Sequence, residues 1–246
     1  MSRATMPDEA LDWLAVWPSV RGLTIGDDVH LPRRLRDRGH TLIALTEDHR
    51  QARRLWGPTV RSLVGNASAL PFDPFQFEVV FVHQGLHLLD LDAALPQITR
   101  VLMAGGCLSA SYVIRDDSVP WVRRLQALLR RYDPLAMSGD YGHASLERLR
   151  ETKYFADIDQ RAFRIWRTVT REQMAQLVRG QSFAAKLDQG QLDRLVGAVM
   201  ELYDSSARPG ESLRLPFQLL CWRAWVDHAE LTGPVHVPDG GLNIPV

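Results

Sequence analysis

The sequence predicts a doubly wound, mostly parallel α/β sheet, and three observations carry that expectation. Five β-prone apolar runs alternate with helical segments along the first 115 residues, the order that builds a parallel sheet covered on both faces. Phe77-Glu78-Val79-Val80-Phe81-Val82 is a nearly unbroken apolar run of β-branched and aromatic residues, which suits a strand buried on both sides. Beyond it come a helical pattern, a Gly-Gly turn and another strand, which together make a βαβ unit with a right-handed crossover.

Taken in order, Asp8 to Val16 is a short amphipathic helix with Leu11, Leu14 and Ala15 inward. Arg21–Ile25 is the first strand, followed by a helix over Leu31–Arg38 that ends at Gly39. Thr41–Leu45 is the second strand, Asp48–Trp56 a helix stopped by Gly57-Pro58, and Val60–Val64 the third strand. Gly65-Asn66 opens a turn, and Leu70-Pro71-Phe72 is extended because proline pushes the residue before it out of helical geometry. After the fourth strand, Leu91, Leu95, Ile98 and Leu102 share one side of a helix over Asp92–Leu102, which Ala104-Gly105-Gly106 should stop in a left-handed cap. Cys107–Ile114 is the fifth strand. Beyond Arg115 the pattern changes to a helix over Val119–Tyr132, a polar glycine-punctuated loop over Met137–His143, and a turn or two of helix at Leu146–Glu151. Arg161–Val169 alternates as a half-buried strand does. Thr170 caps a further helix, Asp188–Asp204 forms another, and Ser212–Val226 is the last strand, where Pro216 argues for an edge position or a bulge. The Pro/Gly-rich stretch Gly233–Val246, with its Asp239-Gly240 turn, is given no function.

The totals narrow the function classes. The chain has 246 residues, 46% hydrophobic and 24% charged, which fits one α/β domain with additions. Its formal net charge of zero offers no broad basic surface, so nucleic acid is excluded as the expected partner. Two cysteines, Cys107 and Cys221, make neither a metal-ligand spacing nor a disulfide framework and are expected to be buried reduced thiols. No apolar run is long enough for a bilayer and no signal-peptide pattern opens the chain, so no membrane partner and a cytoplasmic location are expected.

Gly65-Asn66-Ala67-Ser68-Ala69-Leu70-Pro71-Phe72, Phe77-Glu78-Val79-Val80, Leu86-His87 and Arg100-Val101-Leu102-Met103-Ala104-Gly105-Gly106 follow one another at fixed separations. In that order they resemble the class I S-adenosylmethionine (SAM)-dependent methyltransferases, in particular the small-molecule type 11-like group. The resemblance implies a Rossmann-like seven-stranded sheet with an antiparallel last strand. It also implies one domain over 1–246: a lid helix in 1–20, a SAM-binding core in 21–115, a helical and loop insertion over the cleft in 116–160, C-terminal strands and helices in 161–232, and a tail in 233–246. SAM is the cofactor it implies, and a small molecule the methyl acceptor.

Carried over residue by residue, the resemblance places the cofactor at Gly26, Asp27, Asp28, Thr46, Glu47, Asn66, Ala67, His83 and Gln84. The chain departs from the family in this region. Of the glycine-rich turn after the first strand only Gly26 remains, with Val29 where the family has a close-approach glycine. The acid that ends the second strand and grips the ribose is replaced by Thr46, with Glu47 next to it. Asn66 stands where an aspartate accepts from the adenine amino group, with the Ala67 N–H beside it, and His83 and Gln84 stand where the methionine portion lies. Other readings stay open: Asp27 and Asp28 as a helix cap or as partners of the methionine ammonium, His30 as a surface histidine, Asn66 as a turn residue, His87 as a packing residue. His87, Tyr112, Tyr141 and His143 are the residues expected to contact substrate; no catalytic residue and no metal site announces itself. The leading expectation is methyl transfer to a small molecule. The alternative is a methyltransferase-like protein that has lost productive SAM binding and acts as a partner subunit or binds another ligand; a protein partner or a homodimer is the further partner expectation. A nicotinamide enzyme is disfavoured, since no Gly-x-Gly-x-x-Gly follows the first strand.

Overall fold

The structure, a computed structural model, describes residues 6–57, 60–134, 136, 141–208 and 211–228, with residues 141–143 described by backbone only. Its strands are β1 (Arg21–Ile25), β2 (Thr41–Thr46), β3 (Val60–Val64), β4 (Phe77–His83), β5 (Leu102–Arg115), β6 (Phe155–Val169) and β7 (Leu213–Val226). Its helices are α1 (Asp8–Ala15), α2 (His30–Asp37), α3 (His49–Leu55), α4 (Leu91–Val101), α5 (Pro120–Arg130), α6 (Tyr141–Glu151), α7 (Arg171–Arg179) and α8 (Gln189–Ser206). The strands form one seven-stranded sheet in the order β3-β2-β1-β4-β5-β7-β6, with the last strands antiparallel. The expected fold class is therefore the observed one.

Contacts along the chain group it into two compact units, and β5, β6 and β7 each contribute residues to both. The first unit comprises residues 1–13, 111–144 and 160–221. Its core is helical, built from Val122, Leu125 and Leu129 of α5, Met174, Leu177 and Val178 of α7, and Leu195, Val199 and Met200 of α8. α7 and α8 both start with a capping box, Thr170 with Gln173 and Asp188 with Gln191, in which each residue's side chain accepts from the other's backbone N–H. Buried Tyr203 fixes the adjoining backbone: its hydroxyl donates to the Val169 carbonyl at 3.1 Å and accepts from the Leu213 N–H at 3.3 Å.

The second unit comprises residues 14–110, 145–159 and 222–246, of which 229–246 lie outside the described residues, as does the tail singled out above. Here β1 pairs in parallel with β2 on one side and β4 on the other. The near-continuous apolar run of β4 is explained by this placement, since Val79, Val80, Phe81 and Val82 are all buried. Arg100 accounts for the coupling of two sequence motifs: its Nη1 and Nη2 donate to the carbonyls of Phe72 and Leu70 at 2.7 and 3.0 Å, which clamps the extended Leu-Pro-Phe segment onto the end of α4.

Two local expectations are corrected. α4 ends at Val101, and Ala104-Gly105-Gly106 lies inside β5 rather than in a helix cap. The glycines are needed there for other reasons. Gly105 has φ +74°, and a Cβ on Gly106 would sit 2.7 Å from the Glu78 carbonyl oxygen of β4. Pro216 does not mark an edge either, since β7 runs between β5 and β6. Its carbonyl accepts from the Asp116 N–H at 3.2 Å, a bond that the missing proline donor does not forbid. Of the loop expected at Met137–His143, residues 137–140 lie outside the described residues and 141–143 begin α6.

Candidate functional site

Strand register assembles the candidate site in the second unit. Ile25 lies opposite Leu45 on one side and Val82 on the other, and Thr46 opposite Val64. Hence Gly26, Thr46 and His83, one residue further on, share the carboxyl edge of the sheet. The chain passes from β3, on one flank of β1, to β4 on the other, so this edge is also where strand order reverses. Crevices in open α/β sheets form at such a point.

Gly26 has φ +118°, a conformation that side chains rarely adopt, and nothing lies within 4 Å of where its Cβ would be. Its N–H donates to the Leu45 carbonyl at 2.9 Å, so the turn is anchored while the space above it stays open. Asp27 follows, exposed, and its carboxylate accepts a hydrogen bond from the Thr46 hydroxyl. Thr46, only 2% exposed, also accepts from the Asp48 N–H at 3.1 Å. Its single proton is thus given to Asp27. What it presents at the end of β2 is the Asp27 carboxylate.

Asp28 turns the other way. Its Oδ1 accepts from the His30 N–H at 2.9 Å, and its Oδ2 lies 3.7 Å from His83 Nε2 at the end of β4, with both side chains nearly buried. Asp28 therefore serves the start of α2 and also lies beside a histidine at the carboxyl edge. Val29 does not plug the mouth. It packs beside Ala44, Leu55 and Val60. His30 is the exposed first residue of α2, and Glu47 is exposed beyond β2.

The remaining residues are placed as follows. The Asn66 Oδ1 accepts from the Ser68 N–H at 2.7 Å, a side-chain turn that still leaves the oxygen a second lone pair. Ala67 is buried at 3% exposure. Gln84 takes φ +56° directly after β4, a strained conformation for a non-glycine residue. His87 is exposed in a 3₁₀ turn over Leu86–Leu88. Tyr112, at 1% exposure, is buried in β5. Tyr141 and His143 open α6, and their side chains lie outside the described residues. The pairing of Asp27 with Thr46 was missed from sequence, and the strained Gln84 had no signal in it at all. Among the described residues no cluster of histidine, cysteine and acidic side chains could hold a metal ion, and no helix is long and apolar enough to cross a membrane.

Residues 31–110 match the family model described as a methyltransferase domain. Over that stretch, less than half of its length, the chain is similar to methyltransferase domains. Its similarity extends to curated proteins named as uncharacterized methyltransferases. One from Mycobacterium tuberculosis is 33% identical over 132 residues, 52% of this chain and 54% of that protein. One from Schizosaccharomyces pombe is 28% identical over 145 residues, 59% of this chain and 56% of that protein. The chain thus spans about half the length of the curated relatives it matches. Among solved structures, a proposed type II methyltransferase from Anaeromyxobacter dehalogenans superposes with a TM-score of 0.68 at 16% identity, covering 90% of this chain and 97% of that one. A proposed methyltransferase from Anabaena variabilis gives 0.53 at 14% identity, over 89% and 99%. At such identities these structures show the fold of the methyltransferase domain and nothing finer.

Proposed function

We propose that this chain is a SAM-dependent methyltransferase acting on a small molecule, with the carboxyl edge at Gly26, Thr46 and His83 as its cofactor site. The observation that carries the reading is the Asp27–Thr46 pair beneath an open left-handed turn at Gly26. A ribose presents two vicinal hydroxyl donors, and a carboxylate accepts both. Asp27 supplies that carboxylate at the end of β2, where this sequence lacks one of its own. The residues present therefore fit the group: Gly26 admits close backbone approach, Asp27 accepts the ribose hydroxyls, and Asn66 Oδ1 with the Ala67 N–H takes the adenine edge.

When bound, SAM supplies a methyl group already activated by its sulfonium, so the chain's own task is placement. Thr46 holds Asp27 through its hydroxyl proton. Asp28 lies beside His83 at the end of β4, where Gln84 takes its positive φ. His87, exposed nearby in the chain, is left for acceptor contact.

Thermal melting with millimolar SAM, and separately with S-adenosylhomocysteine, tests the reading. A ligand at a hundred times its dissociation constant adds about 2.7 kcal/mol of stability. For a chain of this size that raises Tm by roughly 5–10 °C. No shift with either ligand removes the cofactor assignment. The second reading, a methyltransferase-like protein that binds another ligand or a partner subunit, is favoured by one observation: the end of the glycine-rich turn is occupied by Val29, which packs into core.

A further inference from the structure

Arg115 ends β5 in the first unit, and its guanidinium is unfavourably placed. The Nε and Nη1 atoms are buried and have no hydrogen-bond partner among the described residues. Burial pulls its pKa below the ordinary arginine value, and no neighbouring charge opposes that pull. A buried cation is ordinarily compensated by a carboxylate or by several acceptors.

Two other arginines among the described residues do find such partners, although the Nε of Arg223 is buried without one. Arg100 donates to the carbonyls of Leu70 and Phe72, and Arg223 donates to Asp159 at 3.0 Å. The acid next to Arg115, Asp116, is committed elsewhere. Its Oδ2 accepts from Arg164 Nε and Nη2 at 2.8 and 2.6 Å, and its Oδ1 accepts from the Ser118 N–H at 3.0 Å. Neighbouring side chains of extended backbone point to opposite sides, so Asp116 serves Arg164 and not Arg115. Arg115 as a whole is only partly buried, so part of its side chain meets solvent although its Nε and Nη1 do not.

We propose that Arg115 is an anion receptor, its guanidinium taking the carboxylate or phosphate group of a small-molecule ligand. The planar fork of donors matches either oxyanion, two bonds at a time. The assignment stands apart from the cofactor reading, since it uses no residue at the ends of β1, β2 or β4.

Melting of the full chain against inorganic phosphate, and separately against succinate, tests it, each matched to sodium chloride at equal ionic strength. One of the two anions should raise Tm saturably by about 5 °C or more at high occupancy. Phosphate acting alone assigns a phosphate ligand, and succinate acting alone a carboxylate. Arg115→Met should abolish the shift and, without ligand, melt no lower than wild type, because it removes an uncompensated buried charge while keeping an apolar stem. Arg115→Lys should keep a weakened shift, having the charge without the fork. The proposal is overturned if neither anion acts beyond sodium chloride, if R115M retains the shift, or if R115M melts well below wild type or fails to fold, any of which makes the residue structural.

Discussion

Replacing Asp27 by asparagine separates the two roles the structure allows that carboxylate. In the folded chain Asp27 accepts from Thr46, and its remaining acceptor sites face solvent above the carboxyl edge. If they take ribose hydroxyls, asparagine removes the charge and turns part of the group into a donor. A hydrogen bond to a charged group contributes about 1.5–3 kcal/mol, so D27N should weaken ligand binding about 10- to 100-fold. Isothermal titration with adenosine and with S-adenosylhomocysteine reads this directly. Both carry the ribose, but only the second carries an ammonium. Loss on both ligands supports the ribose role; loss on S-adenosylhomocysteine alone would assign Asp27 to the ammonium instead. Thr46→Val is the companion variant. It frees Asp27 rather than removing it, so it should weaken binding by only about 5-fold, with about 1–2 kcal/mol lost from stability in urea because the Asp48 N–H also loses its acceptor. The reasoning is refuted if T46V harms binding as much as D27N, or if D27N leaves both affinities within twofold of wild type.

Three further outcomes are expected. Burial pushes the Cys107 and Cys221 thiols up to about 11 and about 12, so neither should react with a thiol reagent at pH 8 until the chain is unfolded in urea, when both should. At Asp116, burial would raise the pKa, but the hydrogen bonds from Ser118 and Arg164 together outweigh it and hold the carboxyl at about 2 against an ordinary 3.8; the unfolded chain then binds the extra proton between those values, and the stability difference between wild type and D116N, read by urea melts at each pH, should be full above pH 4 and shrink as pH falls toward 2. Gly106→Ala should cost about 1–3 kcal/mol in the same urea assay, since the added carbon meets the backbone oxygens of Glu78 and Met103 at 2.7 and 3.0 Å and neither can swing aside; an unchanged midpoint would show that β5 shifts freely against β4.

The fold was legible in the sequence because its signals are local and repeated. The run Phe77–Val82 states its own burial, Gly39 ends its helix with φ +91°, and Thr170 with Gln173 announces a capping box within four residues. Where a signal was ambiguous, the competing cause was tertiary. Gly105-Gly106 reads as a helix stop, yet Gly106 is demanded by the approach of β4's backbone, which no window around residue 105 contains. The site is of this second kind throughout. Taken alone, Asp27 looks like a cap and Thr46 like a lost acid, and neither reading contains the contact between them: parallel pairing of β1 with β2 sets residues 19 apart side by side, so that the hydroxyl of one donates to the carboxylate of the other. A missing acid on one strand is then no proof of a missing function, because the register of the sheet can supply the same carboxylate from the next loop. By the same logic Arg115 could not be seen as unpaired until Asp116 was found facing Arg164, 48 residues away. Vacant functional positions in such a sheet are judged by which charges meet at its carboxyl edge, and the sequence offers those charges only one strand at a time.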